Sequence, residues 1–358
     1  MNFCFYAPVK NEERYIEDFV RHHFKEMKAG DWFVFVDTGS EDSTISKLIE
    51  LRKDYPVLCY FDYPTDIPFT FDFARNFAMD KVPDGIDVGV VMDIDEFMKA
   101  GWREQLEEVF TKNPNAILTH TRYEDLSEET GIEGNYFVHK RCSIHTLDKE
   151  HSRWQYPVHE CLFTTDKNTK ALDCPHIVSY HMRNQQKERP SYKGIIEGYM
   201  ENKPKGLKKA EKFQLQFILA NEYFSANEAE KAEKEYKKLV EMGMKFKESE
   251  MTLGFKYNLT SACVRLGMIH YKKGERDLER FYKGLAASIV PCRETYMMLC
   301  VHYLSYEKTK RNAERARSYF NMAMDCKQEE SYTVLKLFWD NEYLEDVKKS
   351  IQDGLANG

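Results

Sequence analysis

The chain has 358 residues, enough for two domains of ordinary size, and its hydrophobic fraction of 42% is that of a soluble globular protein. Its formal net charge of -7 argues against broad nucleic-acid binding, which depends on Lys and Arg neutralising phosphates. The sequence predicts a cytoplasmic protein with free thiols. It has nine irregularly spaced cysteines without a CxxC pair, no apolar run of roughly 20 residues, and a strand-like N-terminus without signal-peptide features.

Residues 1–125 alternate between strand-like and helical patterns. The predicted strands are Asn2–Val9, Trp32–Val36, Val57–Tyr63, Val88–Met92 and Ile117–Arg122. The predicted helices are Asn11–Lys28, Ser43–Arg52 and Phe71–Lys81. This alternation predicts an α/β fold with a doubly wound, mostly parallel sheet.

The second half of the chain has a different composition. From about Asn202 onward strand patterns disappear, and Lys, Glu, Ala, Leu and Tyr dominate at helical spacing. Three successive stretches match parts of the tetratricopeptide repeat (TPR) pattern, although an irregular helical bundle is the alternative. The matching positions are Leu219, Ala220, Tyr223, Ala232, Tyr236 and Leu239, then Leu266, Gly267, Gly274, Ala286 and Pro291, then Leu299, Tyr303, Ala316, Phe320 and Ala323. We predict an α/β domain at residues 1–195 and an all-α, TPR-like domain at residues 196–358.

Polar motifs follow three of the predicted strands, namely Lys10–Glu12, Asp37–Ser40 and Asp93–Glu96. Open α/β sheets bind ligands at the carboxyl ends of their strands, so we expect one shared site. The sequence contains neither GxxxxGK nor GxGxxG, which argues against a phosphate enzyme built on a glycine-rich loop.

Asp93 and Asp95 are separated by one residue and follow a buried strand. Two carboxylates so placed can bind one hard cation, Mg²⁺ or Mn²⁺, that shares its shell with substrate phosphates. The structural alternative is that these acids cap a helix. Asp37, in VDTGSEDST, has two interpretations of the same kind: it orders a turn, or it accepts hydrogen bonds from a nucleotide.

Four segments together resemble a known family. APVKNEERYIEDF, VDTGSEDST, FDFARNFAMD and VVMDIDEF occur in the order, and at about the spacing, seen in family 2 glycosyltransferases of the GT-A fold. The resemblance covers residues 1–190. Within this family, the chain is most similar to the bacterial group with trailing tetratricopeptide repeats, which includes peptide S-glycosyltransferases. It implies a metal-dependent, inverting transfer of a sugar from a nucleoside-diphosphate sugar, with UDP the expected nucleotide, to a protein, peptide or glycan.

The resemblance also implies a role for each matching residue in donor binding. The nucleoside and diphosphate contacts would come from Ala7, Pro8, Glu12, Asp37, Arg75, Asn76 and Asp93. Asp37 would contact the nucleobase, and Asp93 the ribose or a metal-bound water.

The metal and the general base are assigned on the same grounds. Asp95 would be the main metal ligand, with Asp93 as a second ligand. His181 would complete the metal shell, with His176 as its alternative. In WQYPVHE, Glu160 is the candidate general base, and Asp125 in TRYED is the other candidate.

Several alternatives stay open at the level of sequence. The acceptor could be a modified pyrimidine in DNA, as for some phage-encoded enzymes, although the acidic balance argues against it. The helical domain could be a protein-interaction module beside a degenerate nucleotide-binding domain, and it could also form a homodimer. The Pro-containing stretch Thr65–Thr70 either covers the donor or packs as an ordinary connection.

Overall fold

The computed structural model describes residues 1–127, 133–139, 143–183, 192–202, 207–306, 308–326 and 340–357. The chain divides into two compact units, Met1–Asn202 and Lys203–Gly358. The domain boundary predicted between residues 195 and 196 falls inside the helix Lys193–Glu201. Within these described ranges, no helix is long and apolar enough to cross a membrane.

The first unit is built on a large mixed sheet. Its strands are β1 (Phe3–Val9), β2 (Trp32–Asp37), β3 (Val57–Tyr60), β4 (Val88–Val90), β5 (Glu96–Met98), β6 (Ala116–Ser127), β7 (Glu133–His139), β8 (Ile144–Thr146) and β11 (Lys170–Arg183). They follow the order β3-β2-β1-β4-β8-β6-β11-β5, and β7 pairs with β6. A separate hairpin contains β9 (Ser152–Gln155) and β10 (Cys161–Thr164).

Most of the described strands run in one direction. The pairs β1–β2, β2–β3, β1–β4 and β6–β11 are parallel. Because β8 is antiparallel to both β4 and β6, those two strands share a direction, while β5 and β7 run opposite to their partners. Six of these nine strands are therefore parallel, which confirms the predicted mostly parallel sheet.

Helices cover both faces of the sheet. They are α1 (Ile16–Phe24), α2 (Thr44–Leu51), α3 (Phe71–Asp80) and α4 (Trp102–Lys112), and a further helix, α5 (Lys193–Glu201), ends the unit. Alternate side chains of a strand point to opposite faces, and in β1 Phe5 joins a cluster with residues of α1, α2 and α4, whereas Tyr6 joins a cluster with residues of α3. The predicted doubly wound α/β class is confirmed.

The second unit is all-α in its described residues, as predicted. Its helices are α6 (Lys209–Ser225), α7 (Ala229–Gly243), α8 (Leu253–Lys272), α9 (Arg276–Ile289), α10 (Arg293–Leu304), α11 (Lys310–Met324) and α12 (Asn341–Asn357). Consecutive helices pack in pairs, α6 on α7, α8 on α9 and α10 on α11. The small residues Ala232, Ala286 and Ala316 are fully buried in these pairs. The assignment of these hairpins to tetratricopeptide repeats stays a prediction.

Candidate functional site

The loops after β1 and β2 leave the sheet side by side. The β1–β2 register ends on Val9 opposite Asp37, and the Thr38 amide donates to the Val9 carbonyl at 2.9 Å. Ala7 and Pro8 lie just inside this edge, as the last residues of β1 before Val9. Since β4 is parallel to β1 on its other side, the Asp93–Glu96 motif leaves the same edge of the sheet. Ligands of open α/β sheets bind at this edge.

The Lys10–Glu12 loop is held against the loop after β2. The Asn11 amide donates to Ser40 Oγ at 2.9 Å, and Asn11 Oδ1 accepts from the Glu41 amide at 2.8 Å. The Glu12 amide donates to Thr44 Oγ1 at 2.7 Å. Asn11 has a φ of 56°, a left-handed conformation that Asn tolerates better than most residues. These bonds fix the backbone that was predicted to line a nucleoside pocket.

The Asp37 carboxylate orders the turn that follows it. Its Oδ2 accepts from the Gly39 amide at 3.0 Å and from the Ser40 amide at 3.1 Å, and the residue is 6% exposed. Gly39 has a φ of 104°, which glycine adopts without a Cβ penalty. Asp37 therefore has the turn-forming role considered from the sequence, and its contact with a nucleobase stays a prediction.

Arg75 of α3 joins two acids that are distant in sequence. Its Nε donates to Glu160 Oε1 at 2.5 Å, and its Nη2 donates to Asp93 Oδ1 at 3.1 Å. The side chains of Arg75 and Glu160 are 10% and 11% exposed, whereas that of Asp93 is 47% exposed. Charge-assisted bonds of this kind fix the geometry of both partners. The structure thus brings together three residues that the sequence assigned to donor binding, metal binding and base catalysis.

Glu160 follows a segment with unusual backbone geometry. Tyr156 and His159 have φ values of 81° and 51°, a region that non-glycine residues rarely adopt. The carbonyl of Pro157 accepts from the Phe71 amide at 2.9 Å, which attaches this segment to the start of α3. Left-handed conformations at such residues cost about 1–3 kcal/mol each and cluster at functional sites.

Asn76 connects α3 to strand β9. Its Nδ2 donates to the Trp154 carbonyl and its Oδ1 accepts from the Trp154 amide, both at 2.9 Å. The Trp154 ring also lies 5.4 Å from Arg75 Cζ, within the range of a cation–π contact. In this structure Asn76 therefore positions the residue against which Arg75 packs.

A buried hydrogen-bonded chain lies beneath these residues. Trp154 Nε1 donates to Tyr6 Oη at 3.0 Å, and Tyr6 Oη lies 2.8 Å from His145 Nε2. His145 Nδ1 is 2.8 Å from the Thr146 carbonyl, so Nδ1 carries the proton and Nε2 accepts from Tyr6. Burial lowers the pKa of His145 to about 4, which keeps the ring neutral.

The chain of Trp154, Tyr6 and His145 was not predicted from the sequence. The sequence feature that could have indicated it is Gly89, a glycine inside the apolar strand β4, because a glycine in a strand often marks a place where other groups approach the backbone closely. A Cβ on Gly89 would lie 2.8 Å from Tyr6 Cε1 and 3.1 Å from His145 Nε2. Gly89 therefore makes room for the two rings.

Asp95 and His181 form a second pair at the same edge. Asp95 Oδ2 lies 3.3 Å from His181 Nε2, and the Met182 amide donates to the Asp95 carbonyl at 2.8 Å. Both side chains are about one-fifth exposed, at 23% and 21%. Their oxygen and nitrogen donors fit a divalent cation that completes its shell with phosphates and water. Within the described ranges, no group of three His, Cys, Asp or Glu residues could hold a metal ion.

The alternative residues occupy different surroundings. The backbone of Asp125, on β6, lies opposite His181 of β11 in the parallel register, and its side chain lies outside the described part of the chain. His176 is exposed. The structure thus pairs Asp95 with His181.

No protein-family model matches the chain, and no curated protein sequence does. A crystal structure of S. aureus TarS is similar over 79% of this chain and 55% of that one, with 13% identity and a TM-score of 0.44. TarS residues 1–349 in complex with UDP-GlcNAc match over 99% and 92%, with 14% identity and a TM-score of 0.39. The mannosyltransferase PcManGT from Pyrobaculum calidifontis, in complex with GDP-Man and Mn²⁺, matches over 80% and 83%, with 14% identity and a TM-score of 0.32. The chain thus spans 55% of the length of the first of these structures.

Proposed function

We propose that this protein is a metal-dependent glycosyltransferase that takes a sugar from a nucleoside-diphosphate sugar, with UDP as the nucleotide. The proposal rests on a group of contacts at one edge of the sheet. Asp95 pairs with His181, and Arg75 donates to both Asp93 and Glu160. Support also comes from the four ordered sequence segments that resemble family 2 glycosyltransferases.

The donor would bind across the loops after β1 and β2. These loops present backbone groups at a fixed separation, because Asn11 and Thr38 tie them together. Ala7, Pro8, Glu12 and Asp37 would contact the nucleoside. A rigid, preorganised edge of this kind lowers the ordering cost of binding.

The metal would be held by Asp95 and His181, while the role of Asp93 as a second ligand stays a prediction, since its Oδ1 accepts from Arg75 Nη2. When bound, a divalent cation neutralises the charge that develops on the departing diphosphate. Arg75 supplies a fixed positive charge at the same edge, and its contacts with Asp93 and Glu160 keep both carboxylates oriented.

Glu160 would act as the general base. The acceptor oxygen or sulfur would form a bond to C1 of the donor sugar, the bond from C1 to the diphosphate oxygen would break, and the acceptor proton would pass to the Glu160 carboxylate. One displacement of this kind inverts the anomeric centre. Asp125 is the alternative base. A protein, peptide or glycan acceptor is compatible with this chemistry.

The proposal is tested by donor cleavage. The purified chain is incubated with a panel of nucleotide sugars and Mn²⁺ or Mg²⁺, and the free nucleoside diphosphate is measured. We expect slow hydrolysis of one donor, which a chelator abolishes. Thermal shift with the same panel is the companion measurement. Donor binding without cleavage points to a required acceptor, whereas the absence of both binding and cleavage for every donor contradicts the proposal.

A further inference from the structure

The connection between β3 and α3, together with the first turn of α3, exposes a series of aromatic rings. Residues 61–73, FDYPTDIPFTFDF, contain five aromatic residues, three Asp and no Lys, Arg or His. The ring centroids of Tyr63 and Phe69 are 6.2 Å apart, and those of Phe69 and Phe71 are 5.0 Å apart. Phe73 packs on Tyr63 at 5.9 Å and remains 37% exposed. These four residues and Tyr192 are called the aromatic strip below.

The aromatic strip ends at His159, the residue before the candidate general base. The Tyr192 ring lies 5.6 Å from Phe71 and 5.8 Å from His159, edge to face in both cases. His159 is exposed and directly precedes Glu160. Because the Phe71 amide donates to the Pro157 carbonyl, the strip is also attached to the backbone of the Glu160 segment. A ligand lying on the strip would therefore present its end to Glu160.

The chemistry of the strip favours one class of ligand. Half-exposed aromatic faces carry partial negative charge and attract the polarised C–H groups of a sugar ring. Asp66 and Asp72 add carboxylates that accept hydrogen bonds from hydroxyl groups, whereas Asp62 is paired with Lys81 Nζ at 2.6 Å. Because residues 61–73 contain no Lys, Arg or His, the segment offers no cation of its own to a phosphate-bearing polymer such as DNA. Aromatic rings beside carboxylates thus fit an uncharged, hydroxyl-rich ligand.

We propose that the aromatic strip binds a neutral carbohydrate acceptor and directs one of its hydroxyl groups to Glu160. This inference rests on the proposed glycosyl transfer and names the acceptor class. The hydroxyl oxygen forms a bond to C1 of the donor sugar as the bond from C1 to the diphosphate breaks. The nucleoside diphosphate leaves with the bonding electrons, and the hydroxyl proton passes to Glu160.

The test uses cello-, malto-, chito- and manno-oligosaccharides as probes, beside a basic peptide and single-stranded DNA. Nucleoside-diphosphate release is measured with and without each probe in the wild type, Phe73→Ala, Phe73→Tyr and Tyr192→Ala. Phe24→Ala is the matched control, because Phe24 is 39% exposed, packs on Tyr55 and is not part of the aromatic strip.

We expect one neutral oligosaccharide to accelerate release. The ratio of acceptor-dependent to acceptor-independent release should fall about tenfold in Phe73→Ala and Tyr192→Ala, which is the effect of losing one aromatic contact. Phe73→Tyr keeps a ring and should retain the ratio, as should Phe24→Ala. Acceleration by the peptide or DNA alone, or equal ratios in Phe73→Ala and wild type, would overturn the inference while the transferase proposal stands.

A wild type that cleaves no donor would instead count against the proposed function. In that case saturation-transfer NMR with the same oligosaccharides decides the role of the strip. Binding that is lost in Phe73→Ala and kept in Phe73→Tyr supports carbohydrate recognition. Failure of every neutral oligosaccharide to bind the wild type overturns it.

Discussion

Arg75 Nε and Glu160 Oε1 are 2.5 Å apart, although 85 residues separate them in the sequence. The bond joins the middle of α3 to the segment before β10, and both side chains are largely shielded from water. A bonded guanidinium with a planar, rigid donor set holds a carboxylate in one orientation, which lysine does not do equally well. Glu160 is therefore a fixed group at the sheet edge, as a residue that receives a proton from a bound acceptor must be.

We predict that Glu160→Gln slows donor hydrolysis, in which water takes the place of the acceptor, by about 10²–10⁴-fold. Glutamine still accepts a hydrogen bond from Arg75 but is a far weaker base, so UDP affinity should change little. Hydrolysis rates and UDP titrations of the purified variant measure the two effects separately. Glu150→Gln, an exposed acid near β9, is the control. A Glu160→Gln rate close to that of the wild type would assign the proton transfer to another group.

Tyr6→Phe should destabilise the first unit. It removes the acceptor of Trp154 Nε1 and the donor to His145 Nε2, and both rings are buried. A buried polar group left without its partner costs about 1–3 kcal/mol. The unfolding free energy from urea titration, followed by tryptophan fluorescence, measures the loss.

The matched control for Tyr6→Phe is Tyr63→Phe. The Tyr63 hydroxyl is buried and has no hydrogen-bond partner among the described residues. Its removal should leave the unfolding free energy unchanged or slightly increased, since no bond is lost and a polar group leaves a buried position. Equal destabilisation by the two substitutions would contradict the hydrogen-bonded chain from Trp154 to His145.

Acid should destabilise the first unit through two buried histidines. Burial lowers the pKa of His23 to about 3 and that of His145 to about 4, from an ordinary value of 6.5. Below pH 6.5 the unfolded chain binds protons that the folded chain does not, so the free energy of unfolding falls as the pH falls. Each histidine should account for about 2 kcal/mol between pH 6.5 and 5.

Urea titrations at pH 7, 6 and 5 measure this dependence. His145→Gln should flatten it, whereas His151→Gln should not, because His151 is exposed and paired with Asp148 at the surface. A wild-type protein whose unfolding free energy stays constant over this range would show that the two histidines take up protons in the folded state.

The early part of the fold follows from its sequence pattern. All five strands predicted before residue 125 have a counterpart, since each is a short apolar run bounded by turn residues. The first helix was predicted from Asn11 but begins at Ile16. The reason is local, because the Asn11 amide donates to Ser40 after β2 and the Glu12 amide donates to Thr44 at the start of α2, so both residues leave the helical path.

The strands after residue 127 were not predicted. β8, β9 and β10 have only three or four residues each, too few to show a period, and β8 pairs with strands that are distant in sequence. The residues of the candidate site also fall into those that the sequence pattern could place and those that it could not. Parallel neighbouring strands imply that Asp37 and Asp93 share an edge, whereas the Arg75–Glu160 and Tyr6–His145 contacts depend on long-range packing that no local pattern encodes.

The central claim is that Asp95 and His181 bind a divalent cation together with a nucleoside diphosphate. Electron paramagnetic resonance of Mn²⁺ with UDP tests it most directly, because the signal of free Mn²⁺ falls when the ion is bound. Asp84→Ala, an exposed acid in the turn after α3, is the matched control for Asp95→Ala. We predict that wild type and Asp84→Ala bind Mn²⁺ more tightly when UDP is present, and that Asp95→Ala does not. Equal Mn²⁺ and UDP binding by Asp95→Ala and wild type would contradict the claim.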